Sequence, residues 1–270
     1  MHIVVPIKQV PETSNVQMNR ETGTMIRSGS DAIVNPLDLY SLEAALQIKE
    51  QSGGKVTVIT MGPPSASKVL KEAIAMGCDD AVHVSDRAFG GSDTWATSYT
   101  LSKAIRKLEA DIVITGERAT DGDTGQVGPG IAAWLDMGLV TFTAHIKELT
   151  DSYIIAERLI EEGYQTVKAI FPVVVTVVKE IASPRLPTLR GKKRSMQMDI
   201  PVWGAEELGA KPENLGLKGS PTRVVKIDTP KVTRSCLVVK AIDEASVHSA
   251  VEQLIQFLDS RDLIPKRSEA

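Results

Sequence analysis

The sequence predicts an α/β fold in which helices cover both faces of a doubly wound, mostly parallel sheet. Short apolar runs typical of buried strands alternate with segments of helical spacing over roughly the first half of the 270-residue chain. Only 4% of the residues are aromatic, so the core must consist largely of Val, Ile, Leu and Ala, which suits parallel strands. Because crossovers between parallel strands are right-handed, we expect helices on both faces.

The first half of the chain supplies the parallel part of this sheet. Residues 2–8 form the first predicted strand, and a polar excursion at 11–34 ends at the turn signal Asn35-Pro36. The other predicted strands are 56–61, 81–84 and 112–115, and the helices contain 39–48, 69–76, a stretch ending at 107, and 131–135.

The pattern changes after residue 140, where strands follow one another without helices between them. Three segments predict antiparallel strands at the sheet edge, namely 141–147, 153–159 and 165–170. Residues 171–178 form the most apolar run and predict a central strand.

The C-terminal part lacks a second compact core. Residues 183–194 are basic and are expected to form a loop, whereas 245–258 predict an amphipathic helix whose apolar face needs a partner. We therefore divide the chain into an α/β nucleotide-binding domain, residues 1–189, and a partner-docking arm with a C-terminal helix, residues 190–270.

Residues 111–131 carry the pattern most typical of a ligand site. A predicted strand is followed by a turn with Gly116, Gly122 and Gly125 and then by a helix, so backbone N–H groups at the helix start can face an anion. The turn lacks the lysine of a P-loop and the spacing of G-x-G-x-x-G, and Asp121 and Asp123 are expected to cap turns or point away from a phosphate. An ordinary strand-to-helix turn with aspartate caps explains the local pattern equally well.

Composition and motif searches argue against several other classes of protein. The net charge of −3 weighs against nucleic acid as the main partner. Two distant cysteines and four scattered histidines predict neither a metal site nor a disulfide framework, and no catalytic constellation emerges. The chain begins directly with a strand and has no run of 18 apolar residues, so a soluble cytoplasmic protein without membrane contact is expected.

Over essentially its whole length the sequence resembles the β subunit of electron-transfer flavoproteins. The resemblance rests on residues 3–10, 35–36, 58–64, 119–129 and 184–189, in that order. It implies a nucleotide-binding sheet of the adenine-nucleotide α-hydrolase type and a heterodimer with an α subunit that carries a redox FAD. It also implies that this subunit binds either a structural AMP or, in the electron-bifurcating branch, a second FAD.

The resemblance also implies which positions hold the nucleotide. The N–H groups from Asp123 to Val127 are expected to bind the diphosphate, with help from the side chains of Thr124 and Gln126. The full set of implied nucleotide-binding residues is Pro6, Asn35, Pro36, Leu37, Asp38, Met61, Gly116, Glu117, Arg118, Ala119, Thr120, Asp121, Gly122, Asp123, Thr124, Gly125, Gln126 and Val127.

Three stretches resemble the bifurcating branch in particular. They are residues 86–94, residues 214–222, and Asp121-Gly122-Asp123, where AMP-binding members tend to have three consecutive carboxylates. Membership in that branch implies that NADH reduces the FAD, that one electron passes to ferredoxin, and that the other passes through the α-subunit FAD to a dehydrogenase. The loop after the third strand is the expected NADH approach, through Ala88, Phe89, Gly90, Gly91, Asp93 and Thr94.

A short proline-containing segment resembles the family's partner-recognition loop. It consists of Pro184, Arg185, Leu186, Pro187, Thr188 and Leu189. The loop continues as Arg190-Gly191 where many members that serve acyl-CoA dehydrogenases have a proline, so a flavin-dependent 2-hydroxyacid dehydrogenase is as admissible as an acyl-CoA or enoyl-CoA partner. The alternative to the bifurcating function is a classical β subunit that binds structural AMP and acts as a docking scaffold.

Overall fold

The computed structural model of the chain describes residues 1–12, 32–225 and 238–264, so most of the predicted excursion at 11–34 lies outside the described residues. By its internal contacts the chain divides into two compact units, residues 1–226 and residues 227–270. The strands are β1 (His2–Pro6), β2 (Gln9–Pro11), β3 (Ala32–Val34), β4 (Lys55–Met61), β5 (Asp80–Val84), β6 (Ile112–Gly116), β7 (Gly138–Leu149), β8 (Tyr153–Ile160), β9 (Gly163–Ile170), β10 (Val173–Val177) and β11 (Val202–Trp203). The helices are α1 (Pro36–Ser52), α2 (Ser67–Met76), α3 (Thr94–Leu108), α4 (Val127–Leu135), α5 (Leu189–Gln197), α6 (Gly216–Gly219) and α7 (Glu244–Asp259).

Within the described ranges one large sheet runs in the order β11-β5-β4-β1-β6-β10-β7-β8-β9. The strands from β11 to β7 pair in parallel, and β8 and β9 extend the sheet in antiparallel pairing. Strand β1 lies between β4 and β6, so the connections that leave β1 and β6 diverge at the carboxyl ends of these strands. Such a switch point is where open α/β sheets bind ligands.

Alternating residues of the strands bury against helices on opposite faces of the sheet. Ile3 and Val5 of β1 pack in the core beneath α1 and α2, whereas Val4 between them packs in the core beneath α3 and α4. The side-chain period of two in a strand produces this division. The predicted α/β fold, with a mostly parallel sheet and antiparallel edge strands, is confirmed.

The expected basic loop at 183–194 was wrong in its second half, where α5 begins at Leu189. Thr188 caps this helix, because its Oγ1 accepts a hydrogen bond of 2.9 Å from the N–H of Gly191. Residues 202–203 then pair with β5 at the edge of the large sheet. The first compact unit thus extends beyond the predicted boundary at 189/190, and a docking role for residues 190–270 stays a prediction.

The second unit contains α7, whose start is fixed by a capping box. The carboxylate of Asp243 accepts from the N–H of Ser246 at 2.8 Å, and the N–H of Asp243 donates to Ser246 Oγ at 3.0 Å. None of the side chains from Glu244 to Asp259 is buried, and Val247 and Val251 are about half exposed. Docking of this apolar face on an α subunit stays a prediction.

Candidate functional site

The residues that the sequence singled out for nucleotide binding meet at the carboxyl ends of β1 and β6. Pro6 ends β1 and Gly116 ends β6, and the loop at 117–126 leads from β6 into α4. We call this loop the nucleotide loop. Asn35 and Asp38 approach it from the start of α1, so the switch point brings together three separate parts of the sequence.

Asn35, directly before α1, fixes the conformation of the nucleotide loop. Its side chain is fully buried; Nδ2 donates to the carbonyl oxygen of Arg118 at 3.0 Å, and Oδ1 accepts from the N–H of Thr120 at 3.2 Å. An amide side chain supplies both a donor and an acceptor, which suits a backbone segment that must be held at two points. The role of Asn35 at this site is therefore to position the backbone.

Lys8 and Asp38 form a polar layer between β1 and the nucleotide loop. Lys8 Nζ lies 2.6 Å from Asp121 Oδ1, and the N–H of Lys8 donates to Asp38 Oδ2 at 2.7 Å. Burial raises the pKa of Asp38 to about 7, and the hydrogen bonds from Lys8 and Asn35 offset only part of this effect. Asp121 therefore pairs with a cation, whereas the sequence led us to expect that it caps a turn or points away from a phosphate.

Two glycines allow the nucleotide loop and α4 to lie close to the sheet. A Cβ on Gly116 would lie 2.5 Å from Asp38 Oδ1, and one on Gly128 would lie 2.8 Å from Thr115 Oγ1. Within the described part of the chain, this buried hydroxyl of Thr115 has no hydrogen-bond partner. A larger residue at either position would push the loop away from the strand ends.

The end of the nucleotide loop presents backbone donors toward solvent. Asp123 and Gly125 have φ values of 54° and 63°, and the Asp123 side chain pairs with Arg118 Nε at 3.2 Å. Among the described residues, the N–H groups of Thr124, Gly125, Gln126 and Val127 donate to no protein acceptor. We call these four groups the free donors. They stand at the N-terminus of α4, where the helix dipole favours an anion.

The loop expected to line the NADH approach is packed against residues 214–222. Gly91 has a φ of 76°, and a Cβ there would lie 2.5 Å from Leu217 Cγ. Asp93 caps α3 through Oδ1, and its Oδ2 accepts from the N–H and hydroxyl of Thr222 at 3.0 and 2.8 Å. The close approach that Gly91 permits is thus to Leu217 of the same chain.

This loop nevertheless reaches the nucleotide loop through one contact. Thr94 Oγ1 donates to Gln126 Oε1 at 2.8 Å, which leaves the amide nitrogen of Gln126 as the end available to a ligand. The ring of Phe89 is buried in the core beneath α3 and α4. A role of residues 88–94 in NADH binding stays a prediction.

The segment from Pro184 to Leu189, which we call the docking segment, presents apolar side chains at the surface. Leu186 is 84% exposed and Leu189 is 88% exposed. Arg185, between Pro184 and Leu186, instead turns toward α1 and pairs with Glu43 and Glu50.

Comparison with known proteins now adds to this geometry. The electron transfer flavoprotein domain family matches residues 22–208. The chain is 44% identical over 265 residues to the electron transfer flavoprotein subunit beta of Thermoanaerobacterium thermosaccharolyticum, which covers 98% of this chain and 100% of that protein. The chain belongs to the electron transfer flavoprotein β-subunit family.

Two further relatives of this electron transfer flavoprotein β subunit carry more specific names. The caffeyl-CoA reductase-Etf complex subunit CarD of Acetobacterium woodii is 46% identical over 232 residues, which is 85% of this chain and 88% of CarD. The acryloyl-CoA reductase electron transfer subunit gamma of Anaerotignum propionicum is 40% identical over 264 residues, which is 95% of this chain and 98% of the relative.

The residues at the switch point fit the nucleotide that this family implies. The free donors are suited to phosphate oxygens, Thr115 offers a buried hydroxyl without a partner, and Gly122 leaves the loop without a side chain between two aspartates. Met61, at the end of β4, is partly buried against the core beneath α3 and α4. The nucleotide that occupies the site, and the residues that touch it, stay a prediction.

Sequence reasoning missed two sets of residues at these sites. Lys8 was not among the predicted nucleotide-binding residues, although it ends the first predicted strand, residues 2–8, and so lies at the switch point of the predicted sheet. The partners of Arg185 were also missed. Glu43 and Glu50 have the spacing of two helical turns, which places them on one face of α1, but both lie more than 130 positions from Arg185 in the sequence.

Searches of the described ranges for two other features gave negative results. In residues 1–12, 32–225 and 238–264, no group of three or more His, Cys, Asp or Glu side chains is arranged to hold a metal ion. Across the same three ranges, every helix is too short or too polar to span a membrane.

Proposed function

We propose that this chain binds FAD at the switch point and serves as the NADH-accepting β subunit of an electron-bifurcating, cytoplasmic heterodimer. The observation that carries the proposal is the set of free donors from Thr124 to Val127 at the start of α4. Four N–H groups and a helix dipole suit the diphosphate of a dinucleotide. A single phosphate would use fewer of them.

The packing of two distant stretches supports the bifurcating branch. Residues 86–94 and 214–222 separately resemble that branch, and Asp93 joins them through Ser220 and Thr222. Leu217 covers Gly91, and Thr94 connects the same loop to Gln126. Features that distinguish the branch in sequence therefore form one structural unit beside the free donors.

The chain's own residues position the cofactor and do not react. Thr124 is exposed and supplies a hydroxyl to the diphosphate, Gln126 supplies its amide nitrogen, and Asn35 keeps the loop in the conformation that aims the free donors. A bound FAD would supply the redox chemistry, which is acceptance of a hydride from NADH with release of NAD⁺, and transfer of the two electrons singly, one for ferredoxin and one for the α-subunit FAD. The protein contributes binding, orientation and polarity.

The docking segment is proposed to meet the dehydrogenase that receives the second electron. Its two exposed leucines, Leu186 and Leu189, suit a partner with an apolar pocket at its surface. The names of two relatives contain caffeyl-CoA reductase and acryloyl-CoA reductase, which favours a CoA-ester reductase or dehydrogenase over a 2-hydroxyacid dehydrogenase as the partner.

The test is the cofactor content of the heterodimer produced together with its α subunit. We expect two FAD molecules and no AMP for each heterodimer, together with reduction of ferredoxin by NADH in the presence of the dehydrogenase and its oxidised substrate. One FAD and one AMP would overturn the proposal in favour of the classical scaffold. Two FAD molecules without ferredoxin reduction would retain the binding assignment and exclude bifurcation.

A further inference from the structure

Arg185 ties the docking segment to α1 through two carboxylates. Its Nε donates to Glu43 Oε2 at 2.8 Å and its Nη2 donates to Glu43 Oε1 at 3.0 Å, while Nη1 donates to Glu50 Oε1 at 2.5 Å. The N–H of Arg185 also donates to Glu43 Oε2 at 3.0 Å. Both the side chain and the backbone of this residue are therefore held.

The pKa shifts of the two glutamates show how strongly Arg185 interacts with them. The side chain of Glu43 is only 5% exposed, and burial alone would raise its pKa, but the hydrogen bonds from Arg185 outweigh burial and hold the pKa below its usual value. Hydrogen bonds from Arg185 likewise lower the pKa of Glu50. A planar guanidinium suits such bidentate pairing, whereas an ammonium group does not.

The other end of the docking segment is anchored on α2. The N–H of Thr188 donates to the carbonyl oxygen of Ala75 at 3.1 Å, and Gly191 lies so close to Ala75 that a Cβ would overlap its carbonyl group. Arg194 donates to the carbonyl oxygens of Cys78 and Asp79. The segment is therefore held at both ends, with Leu186 and Leu189 directed outward between the anchors.

We infer that Arg185 is a positioning residue that holds Leu186 and Leu189 in the orientation that the dehydrogenase binds. This inference rests on the proposed docking function. A segment ordered before the encounter loses less conformational freedom on binding, so the clamp lowers the cost of complex formation without touching the cofactor. It predicts an effect on the KM for the dehydrogenase that is separable from stability and flavin content.

The experiment compares variants of the intact heterodimer with an acyl-CoA dehydrogenase as the probe. Arg185→Met keeps the apolar stem of the side chain and removes the guanidinium, whereas Lys193→Met removes an exposed positive charge on α5, outside the docking segment. We expect Arg185→Met to raise the KM for the probe about tenfold with kcat and flavin content unchanged. Hydrogen exchange of the amides at 185 and 188, which donate to Glu43 and to Ala75, should accelerate by a similar factor. Lys193→Met should change neither quantity by more than about twofold.

A double variant separates positioning from stability. Arg185→Met leaves the buried carboxylate of Glu43 without its cationic partner, and adding Glu43→Gln removes that charge without restoring the clamp. The double variant should regain most of the lost thermal stability while its KM and amide exchange remain as in Arg185→Met. A KM that recovers with stability, or amide exchange unchanged in Arg185→Met, would overturn the positioning role.

Leu189→Ala distinguishes failure of this inference from failure of the docking proposal. If Leu189→Ala raises the KM for the probe and Arg185→Met does not, docking stands and the clamp is refuted. If neither Leu189→Ala nor Leu186→Ala changes the KM, the docking function itself is wrong. A faster amide exchange in Arg185→Met would then establish only that the clamp orders the segment.

Discussion

The nucleotide loop and the docking segment are both held by side-chain hydrogen bonds, but they differ in the groups that they leave exposed. In the nucleotide loop, Asn35 fixes the backbone and four N–H groups at its end donate to no described protein atom. In the docking segment, Arg185 and Thr188 bind the backbone or carboxylates of neighbouring helices, and two leucines remain exposed. The first region is suited to a small anion and the second to an apolar protein surface.

A second contrast lies in the carboxylates beneath these regions. Asp38 and Glu43 are both buried on α1, five residues apart. Glu43 faces a guanidinium and has a lowered pKa, whereas burial raises the pKa of Asp38 to about 7. On the docking side of α1, Arg185 compensates the negative charge of Glu43. On the nucleotide side, hydrogen bonds compensate the burial of Asp38 only in part.

The largest expected effect comes from placing a negative charge at the free donors. Gly125→Asp should weaken binding of the β-side nucleotide by a hundredfold or more, because it sets an anion beside the phosphates. A Cβ at this position would lie 3.5 Å from the nearest atom, the carbonyl oxygen of Glu117, and aspartate is one of the few residues that adopt the φ of 63° found here, so the variant should fold. Nucleotide content of the purified heterodimer is the measurement.

Gly125→Asn is the matched control for this variant. It adds nearly the same volume and also tolerates a positive φ, but it carries no charge. We expect it to retain at least part of the nucleotide. If Gly125→Asp keeps full occupancy, the diphosphate is bound elsewhere and the contrast between the two regions fails.

The next effect concerns the pH dependence of stability. Because the folded-state pKa of Asp38 lies above its unfolded value, the folded chain binds more protons between about pH 4 and pH 7, and stability falls as the pH rises through this range. Asp38→Asn removes the titrating group. The free energy of unfolding of the variant minus that of the parent protein should therefore increase by roughly 2–3 kcal/mol from pH 5 to pH 8.

Glu43→Gln supplies the comparison for Asp38→Asn in chemical denaturation experiments. The pKa of Glu43 is lowered, so its contribution to stability is already complete at pH 5 and is lost only below that pH. The variant should therefore be less stable by the same amount at pH 5 and pH 8. Equal pH profiles for the two variants would show that the two carboxylates do not differ as described.

The smallest effect is expected from a single hydroxyl in the nucleotide loop. Thr124→Ala removes one charge-assisted hydrogen bond to a phosphate and should weaken nucleotide binding by about tenfold. The side chain is exposed and makes no hydrogen bond to another described residue, so stability should not change. Titration of the nucleotide-free heterodimer with FAD measures the affinity. An unchanged affinity would show that this hydroxyl does not reach the diphosphate.

The sheet could be predicted from the sequence because its strands are short apolar runs separated by glycine and proline. The same approach located the nucleotide loop, since β6 and α4 flank it in sequence. It could not reveal that Lys8 reaches Asp121 or that Arg185 reaches Glu43, because these contacts join residues more than 100 positions apart. It also missed α5, whose basic residues have little apolar periodicity and whose position depends on Thr188 and on contact with Ala75.

The exposure of Leu186 and Leu189 has a consequence for how partner choice can change. Neither side chain is buried in the part of the chain that the structure describes. The backbone of the docking segment is instead held in place by Arg185, Thr188 and Gly191. Substitution of the two leucines should therefore change the free energy of unfolding little, and the backbone of the docking segment would direct a replacement side chain the same way. Under the proposed docking function, recognition of a new dehydrogenase can thus be acquired one side chain at a time, without altering the nucleotide loop.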